Sequence, residues 1–114
     1  MVKNGIDAIS SREARLEEKS FQGKVVRLLA KSHTMEAIQI ELEAGDAFPK
    51  ESLHAGEEFK YVIEGQIEVQ VGEKVYLLGK GDWLWHRSDI PHMVSNPGHT
   101  KATYITVGAP PSFI

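Results

Sequence analysis

From Lys24 onward the chain runs in short segments in which apolar and polar residues take turns. The clearest is Glu36–Leu42, where Ile38, Ile40 and Leu42 share one parity and Gln39 and Glu41 the other. Successive side chains of an extended strand point to opposite faces, so this period of two predicts a strand with one buried face. KVVRLLA, residues 24–30, predicts a strand before it, and segments at 59–63, 67–71, 75–78, 83–86, 91–95 and 102–107 predict those after it. Turn chemistry separates the segments: Ala44-Gly45-Asp46, Gly72-Glu73, Lys80-Gly81 and Asn96-Pro97-Gly98. Gly65 ends one strand, Pro49 places an edge before another, and the Pro110-Pro111-Ser112 tail cannot continue a ladder.

Residues 1–22 have a different texture. Ser10 followed three residues later by Glu13 is a capping-box signature and predicts a short helix through SREARLEEKS, although Ala14 and Leu16 make no buried stripe. The expectation is a polar N-terminal arm over residues 1–22 and one β-barrel domain over 23–114. Eight to ten short strands with frequent turns predict an all-β sandwich or small barrel.

Composition narrows the chemistry. A chain of 114 residues has room for one core, and 41% apolar residues suffice to fill it. With no cysteine, disulfides and thiolate-held zinc or iron–sulfur sites are excluded, so a metal would have to be held by imidazole and oxygen. A net charge of −3, with both signs mixed along the chain, leaves no footprint for direct nucleic-acid binding. No apolar run approaches the ~18 residues of a membrane helix, and MVKNGIDAIS lacks the apolar centre of a signal peptide. The expected location is cytoplasmic, without membrane contact.

Two stretches carry the candidate site. SLHAGEEFKYVIEG, residues 52–65, places His54 and Glu58 four residues apart; GDWLWHRSDIPHMVSN, residues 81–96, adds His92. After a bend at Ala55-Gly56, strand parity puts Glu58, Lys60 and Val62 on one face and Phe59, Tyr61 and Ile63 on the other. Two imidazoles and a carboxylate leave coordination positions open and suit Fe, Mn, Ni, Cu or Zn alike. The bland alternative is a metal-free polar mouth in which Glu58 pairs with Lys60 and the histidines bond to neighbours. Lys60 reads as an anchor for an acidic ligand, a group beside the metal ligands, or a side chain whose long stem carries its ammonium to the rim. His86 shares parity with Leu84 and is a substitute ligand or a rim histidine. His33 and His99 fall near loops, and Asn96 reads as a turn residue. Trp83 and Trp85 then face outward with Phe59, Tyr61 and Ile63. So large an apolar group predicts burial against a second subunit or under the arm, with a homodimer the expected answer.

These two stretches resemble the paired motifs of the cupin superfamily. The first, G-x5-H-x-H-x3-4-E-x6-G, is matched at His54, Glu58 and Gly65; the second, G-x5-P-x-G-x2-H-x3-N, at Gly81, His92 and Asn96. The run GEEF…YVIEG and the PPSF ending resemble the cupin domain of helix-turn-helix bacterial regulators. The departures are Ser52 where the family has its first histidine, Asp46 where the first glycine would fall, and Arg87 and Asp89 in the second motif. Ser52 touches chemistry, since a hydroxyl is a poorer ligand than imidazole. The resemblance covers roughly residues 34–107 and implies a double-stranded β-helix, or jelly roll, commonly dimeric.

Three functions remain open on these residues. One is a binding or sensing module that holds a small polar ligand in the barrel, with or without a divalent metal on His54, Glu58 and His92. With no helix-turn-helix in the sequence, DNA binding would then need a partner protein. The second is a small metal-dependent enzyme, a dioxygenase or an isomerase of a small organic acid or carbohydrate derivative. The third is a metal-free scaffold. Ser52, Lys60 and His86 are the residues expected beside the metal or the ligand.

Overall fold

The alternation read from the sequence becomes a two-sheet β structure. The computed structural model describes residues 7–13, 17–21, 24–49 and 51–113. Among these described residues nine strands follow one another: β1 (Glu17–Phe21), β2 (Lys24–Lys31), β3 (Glu36–Leu42), β4 (Glu57–Glu64), β5 (Gln66–Val71), β6 (Lys74–Gly79), β7 (Trp83–Arg87), β8 (His92–Ser95) and β9 (Ala102–Ala109). Six form an antiparallel sheet in the order β1-β2-β3-β9-β4-β7, and three form a second in the order β6-β5-β8. This is an all-β double-stranded β-helix. No helix among the described residues is long and apolar enough to cross a membrane.

Register sets where the core ends and the site begins. Across β3, β9, β4 and β7 the inward residues line up in rows: Glu36, Gly108, Glu58 and His86; then Ile38, Thr106, Lys60 and Leu84; then Ile40, Tyr104 and Val62; then Leu42 and Ala102. Polarity therefore falls from one end of the barrel to the other. Ile67, Val69, Leu78 and Val94 of the second sheet close over the apolar rows, which with Val26 make the core. Burying that core drives folding at roughly 25 cal/mol per Å² of apolar surface. The polar rows have no such driving force and need partners instead.

Two glycines let the chain make the approaches this topology demands. Gly56 lies at φ 104°, and a Cβ there would collide with the Ala109 carbonyl. Gly65, at φ 76°, lies against the Lys101 carbonyl and Ala102 at the β4–β5 corner. Both conformations are costly for any residue with a side chain.

Two sequence expectations are corrected here. Among the described residues of the helix expected through 11–20, residues 11–13 make a turn, in which the Ser10 hydroxyl donates to Glu13 at 3.0 Å, and Glu17–Phe21 is strand. Ala14 and Leu16 lie outside the described residues. β1 pairs with β2 in register from Glu17↔Leu28 to Phe21↔Lys24, so this part of the supposed arm belongs to the sheet. An edge strand needs only backbone partners, and charged side chains suit an edge because they discourage further pairing. Arg27 adds a cross-strand tie, donating to Glu18 at 2.6 Å and Glu41 at 2.8 Å. Asn96 is the second correction, being more than a turn residue. It is buried, its Nδ2 donates to the Leu42 and Thr100 carbonyls at 3.0 and 2.9 Å, and its Oδ1 accepts the Gly98 N–H at 2.9 Å.

Candidate metal centre

Strand β4 delivers Glu58 and Lys60 into the barrel because each is two residues from the next inward position, ending at the core residue Val62. β8 delivers His92 at its first residue. The backbone of Ser52 pairs with that of His92, N–H to carbonyl in both directions at 2.7 and 3.0 Å. His54 follows, its N–H donating to the Ser88 carbonyl at 3.0 Å. Side chains 38 residues apart in sequence are thus fixed by main-chain bonds at both ends.

The carboxylate of Glu58 is the centre of the arrangement. Its Oε2 lies 2.8 Å from His54 Nε2 and 3.0 Å from His92 Nε2, and it accepts the Ser88 hydroxyl at 3.0 Å. Its Oε1 accepts from Lys60 Nζ at 2.7 Å and from the Thr106 hydroxyl at 3.4 Å. Lys60 also donates to His86 Nε2 at 2.8 Å. The His92 Nδ1–H donates to the Ile90 carbonyl at 2.8 Å, and His54 makes a longer bond of the same kind to Ala55, at 3.3 Å. Each imidazole therefore turns its Nε2 toward the carboxylate.

Burial raises the energy of every charge here, and the partners decide the outcome. Burial alone would push the Glu58 carboxyl up; the hydrogen bond from His92 and the ammonium of Lys60 outweigh it and hold the group well below the usual carboxylate range. Burial pulls Lys60 below the ordinary lysine value, opposed by Glu58. His86 is pulled down to about 4, by burial first and by the Lys60 charge second.

The donor set fits a divalent transition ion. One ligand atom from each of His54, Glu58 and His92 lies within 4.8 Å of the others. Two donors sharing one ion at the usual 2.0–2.2 Å sit roughly 3.0–3.4 Å apart, close to the two Nε2···Oε2 separations. Each of those contacts is attractive only with a positive charge, a proton or a metal ion, between nitrogen and oxygen. His54, Glu58 and His92 would hold the ion and Ser88 would orient the carboxylate. The ligand types do not select among the first-row metals.

The sequence candidates are divided by the structure. His54, Glu58 and His92 converge. Lys60 does not reach the rim: it is 2% exposed and its ammonium stays inside with Glu58 and His86. His86 is buried, but its Nε2 is turned to Lys60 rather than to His54 and His92. Ser52 is exposed, borders the cavity and serves through its backbone. His33 and His99 are exposed. Sequence reasoning missed Ser88, Thr106, Glu36 and the tail. Thr106 and Glu36 were open to it, because each shares parity with core residues of its own strand, Tyr104 and Ile38.

A cavity of about 100 Å³ opens beside the carboxylate. Ile38, Ile40, Phe48, Val94 and Phe113 give it an apolar wall opposite the polar groups. The C-terminal segment crosses its mouth: the Phe113 N–H donates to Glu36 Oε1 at 2.9 Å, Phe113 packs edge-on against Phe48, and Ser112 Oγ lies 3.5 Å from His54 Nε2.

Known proteins share this architecture. An RmlC-like cupin from Shewanella frigidimarina superposes with a TM-score of 0.75 at 20% identity, covering 94% of this chain and 93% of that one. The cupin domain of an XRE family transcriptional regulator from Enterobacter cloacae gives 0.71 at 20% identity over 80% of this chain and all of that one. FeII HppE gives 0.72 at 21% identity over 95% of this chain and 62% of that one. At these identities the likeness shows the fold alone. In sequence, 50 residues are 48% identical to an uncharacterized protein of Archaeoglobus fulgidus, a stretch covering 44% of this chain and 47%, about half, of that protein. Residues 38–108 match the cupin domain family, and they contain Glu58, Lys60, His86 and both candidate imidazoles. The chain belongs to the cupin family.

Proposed function

We propose that this cupin is a cytoplasmic ligand-binding, sensing module whose barrel holds a divalent transition metal on His54, Glu58 and His92 and a small polar ligand beside it. The observation that carries the reading is the convergence of two Nε2 atoms on one oxygen of a buried carboxylate, with His92 Nδ1 tied to a backbone carbonyl. The cupin domain of a transcriptional regulator shares this fold, which is compatible with sensing. Lys60 and His86, the charged and imidazole groups nearest the ligands, are engaged with Glu58 and with each other, which favours sensing over turnover.

Metal analysis of the purified protein tests this reading. One equivalent of iron, manganese, nickel, copper or zinc, lost in His92→Ala, is the expected result. No uptake under any reconstitution condition sinks it.

An enzyme is the second reading, favoured by the open coordination positions that three ligands leave and by the likeness to FeII HppE. A bound ion would supply Lewis-acid or redox chemistry. The chain's own part would be to orient Glu58 and to present an apolar wall to the substrate. Turnover of a small organic acid or carbohydrate derivative by the metal-loaded protein, absent from the metal-free protein, would move the assignment from sensor to enzyme.

The outward faces of β4 and β7 support a homodimer. Phe59, Tyr61, Ile63, Trp83 and Trp85 form one exposed apolar surface, with Trp83 at 61% and Trp85 at 51% exposure. Trp85 Nε1 donates to Glu57 at 2.7 Å, and Phe59 and Trp83 lie 5.9 Å apart centre to centre. A second copy packed on this surface would remove it from water.

A further inference from the structure

We propose that Lys60 makes the metal site one that takes a small carboxylate together with the ion, the carboxylate serving as the ion's exchangeable ligand and its short apolar tail lying against the wall of the cavity. The proposal rests on the metal reading above and names the ligand class for it.

Charge accounting inside the cavity carries the inference. Among the described residues that line it, the acidic groups are Glu58 and Glu36. Both are already countered by cations of the chain. Glu58 Oε1 is 2.7 Å from the Lys60 ammonium, and Glu36 Oε2 is 3.9 Å from that of Lys31. Glu36 Oε1 is further held by backbone N–H donors of the tail, Phe113 at 2.9 Å and Ser112 at 3.4 Å. The remaining donors, His54 and His92, bring no negative charge to an ion. A divalent cation placed on this set would therefore bring about two positive charges into a low-dielectric space with no anion of the chain left to answer them. Such a charge is strongly disfavoured unless paired. A bound water lessens that deficit very little, whereas an anion entering from solvent answers it directly.

Lys60 acts geometrically as well. Its hold on Oε1, shared with Thr106, leaves Oε2 as the single oxygen of Glu58 turned to His54 and His92. A carboxylate held by one oxygen occupies one position on an ion and leaves the others to ligand. His86 helps to hold the lysine: its Nδ1–H donates to the Arg87 carbonyl at 3.0 Å, so Nε2 accepts from Nζ at 2.8 Å and keeps the ammonium beside Glu58.

Space and lining set the rest of the ligand. A single water needs about 10–15 Å³ of cavity, so about 100 Å³ accommodates a molecule of a few heavy atoms. Ile38, Ile40, Phe48 and Phe113 favour a short alkyl tail over a sugar.

The test uses the full chain loaded with Co²⁺, with visible spectroscopy and calorimetry as readouts, and butyrate, its neutral isostere butyramide and inorganic phosphate as probes. Butyrate is expected to perturb the cobalt bands, and butyramide is not. Lys60→Met is expected to bind Co²⁺ at least roughly tenfold more tightly and butyrate at least roughly tenfold more weakly, while Lys60→Arg stays within about threefold of the parent for both. Equal binding of butyrate and butyramide by the unaltered chain overturns the proposal without recourse to any variant, which guards against a Lys60→Met protein that does not fold. A folded Lys60→Met protein with unchanged affinities overturns it too, as does phosphate binding without butyrate binding. Cobalt uptake with no preference for butyrate removes this proposal and leaves the metal site standing. Failure of the chain to bind cobalt or any other divalent ion removes both.

Discussion

The two faces of strand β4 reverse the usual rule. Inward lie Glu58 and Lys60, 9% and 2% exposed, and outward lie Phe59, Tyr61 and Ile63, all exposed. β7 repeats the inversion with His86 inside and Trp83 and Trp85 outside. On β3, three strands away from β7, the inward face after Glu36 is Ile38, Ile40 and Leu42 and the outward face is mostly polar, as hydrophobic burial alone requires. A sheet that obeys the rule at one end and breaks it on both faces at the other is paying for something. Inside, buried charge is tolerated because every member has a partner: no buried side-chain nitrogen or oxygen among the described residues lacks one. Outside, among the described residues, the ring and hydrogen-bond contacts of the aromatic surface are with its own members and Glu57.

The largest effect expected from breaking this contrast is at Glu58. Glu58→Ala strands the Lys60 ammonium in the interior and should cost about 3–5 kcal/mol in chemical denaturation, with loss of metal binding. Phe59→Ala, one residue along and normally the worse substitution, should cost well under half of that. If the aromatic residue proves the costlier, the buried polar cluster is not the organising feature of this strand.

Acid should act next. In the metal-free protein His86 titrates at about 4 instead of 6.5, so between those values the unfolded chain binds a proton that the folded chain does not. Its contribution is intact above pH 6.5, declines as pH falls to about 4, and is flat below. At 1.36 kcal/mol per unit this amounts to about 3 kcal/mol. Glu58, held below its usual range, adds a further loss that begins only below the ordinary carboxylate value of 4.5. Denaturation midpoints across pH 4–7 should slope accordingly, and His86→Gln should flatten the upper part of that slope.

A conventional core change should be milder and leave the metal ligands untouched. Ile40→Val, in the apolar row two residues from the polar ones, should cost about 0.5–1.5 kcal/mol and leave metal stoichiometry unchanged. Smallest in its effect on the fold is the double substitution Trp83→Ser with Trp85→Ser. Each exposed site should change monomer stability by no more than about 0.5 kcal/mol, while sedimentation should shift from dimer to monomer. A parent protein that sediments as a monomer would withdraw the second subunit as the explanation of the outer face.

Much of this was legible in the residues. The period of two through Glu36–Leu42 and Ile67–Val71 announced the strands, and His54, Glu58 and His92, picked out by type and spacing, are side chains that converge. What the residues hid was pairing across strands. The Glu58–Lys60 pair was among the readings they allowed, but His86 as the third member was not, because no local pattern states that β7 will lie beside β4. β1 was hidden for a related reason. Glu-Glu-Lys-Ser has no apolar periodicity to betray a strand, because an edge is held through its backbone, where side-chain identity leaves no trace. Thr106 and Glu36 were visible by parity but do not resemble ligands.

The clasp between Phe113 and Glu36 has a practical corollary. Ser112 and Phe113 line the cavity, beside the imidazole of His54 and the ring of Phe48. A small environment-sensitive dye carried at residue 112 would report each arrival and departure of a guest.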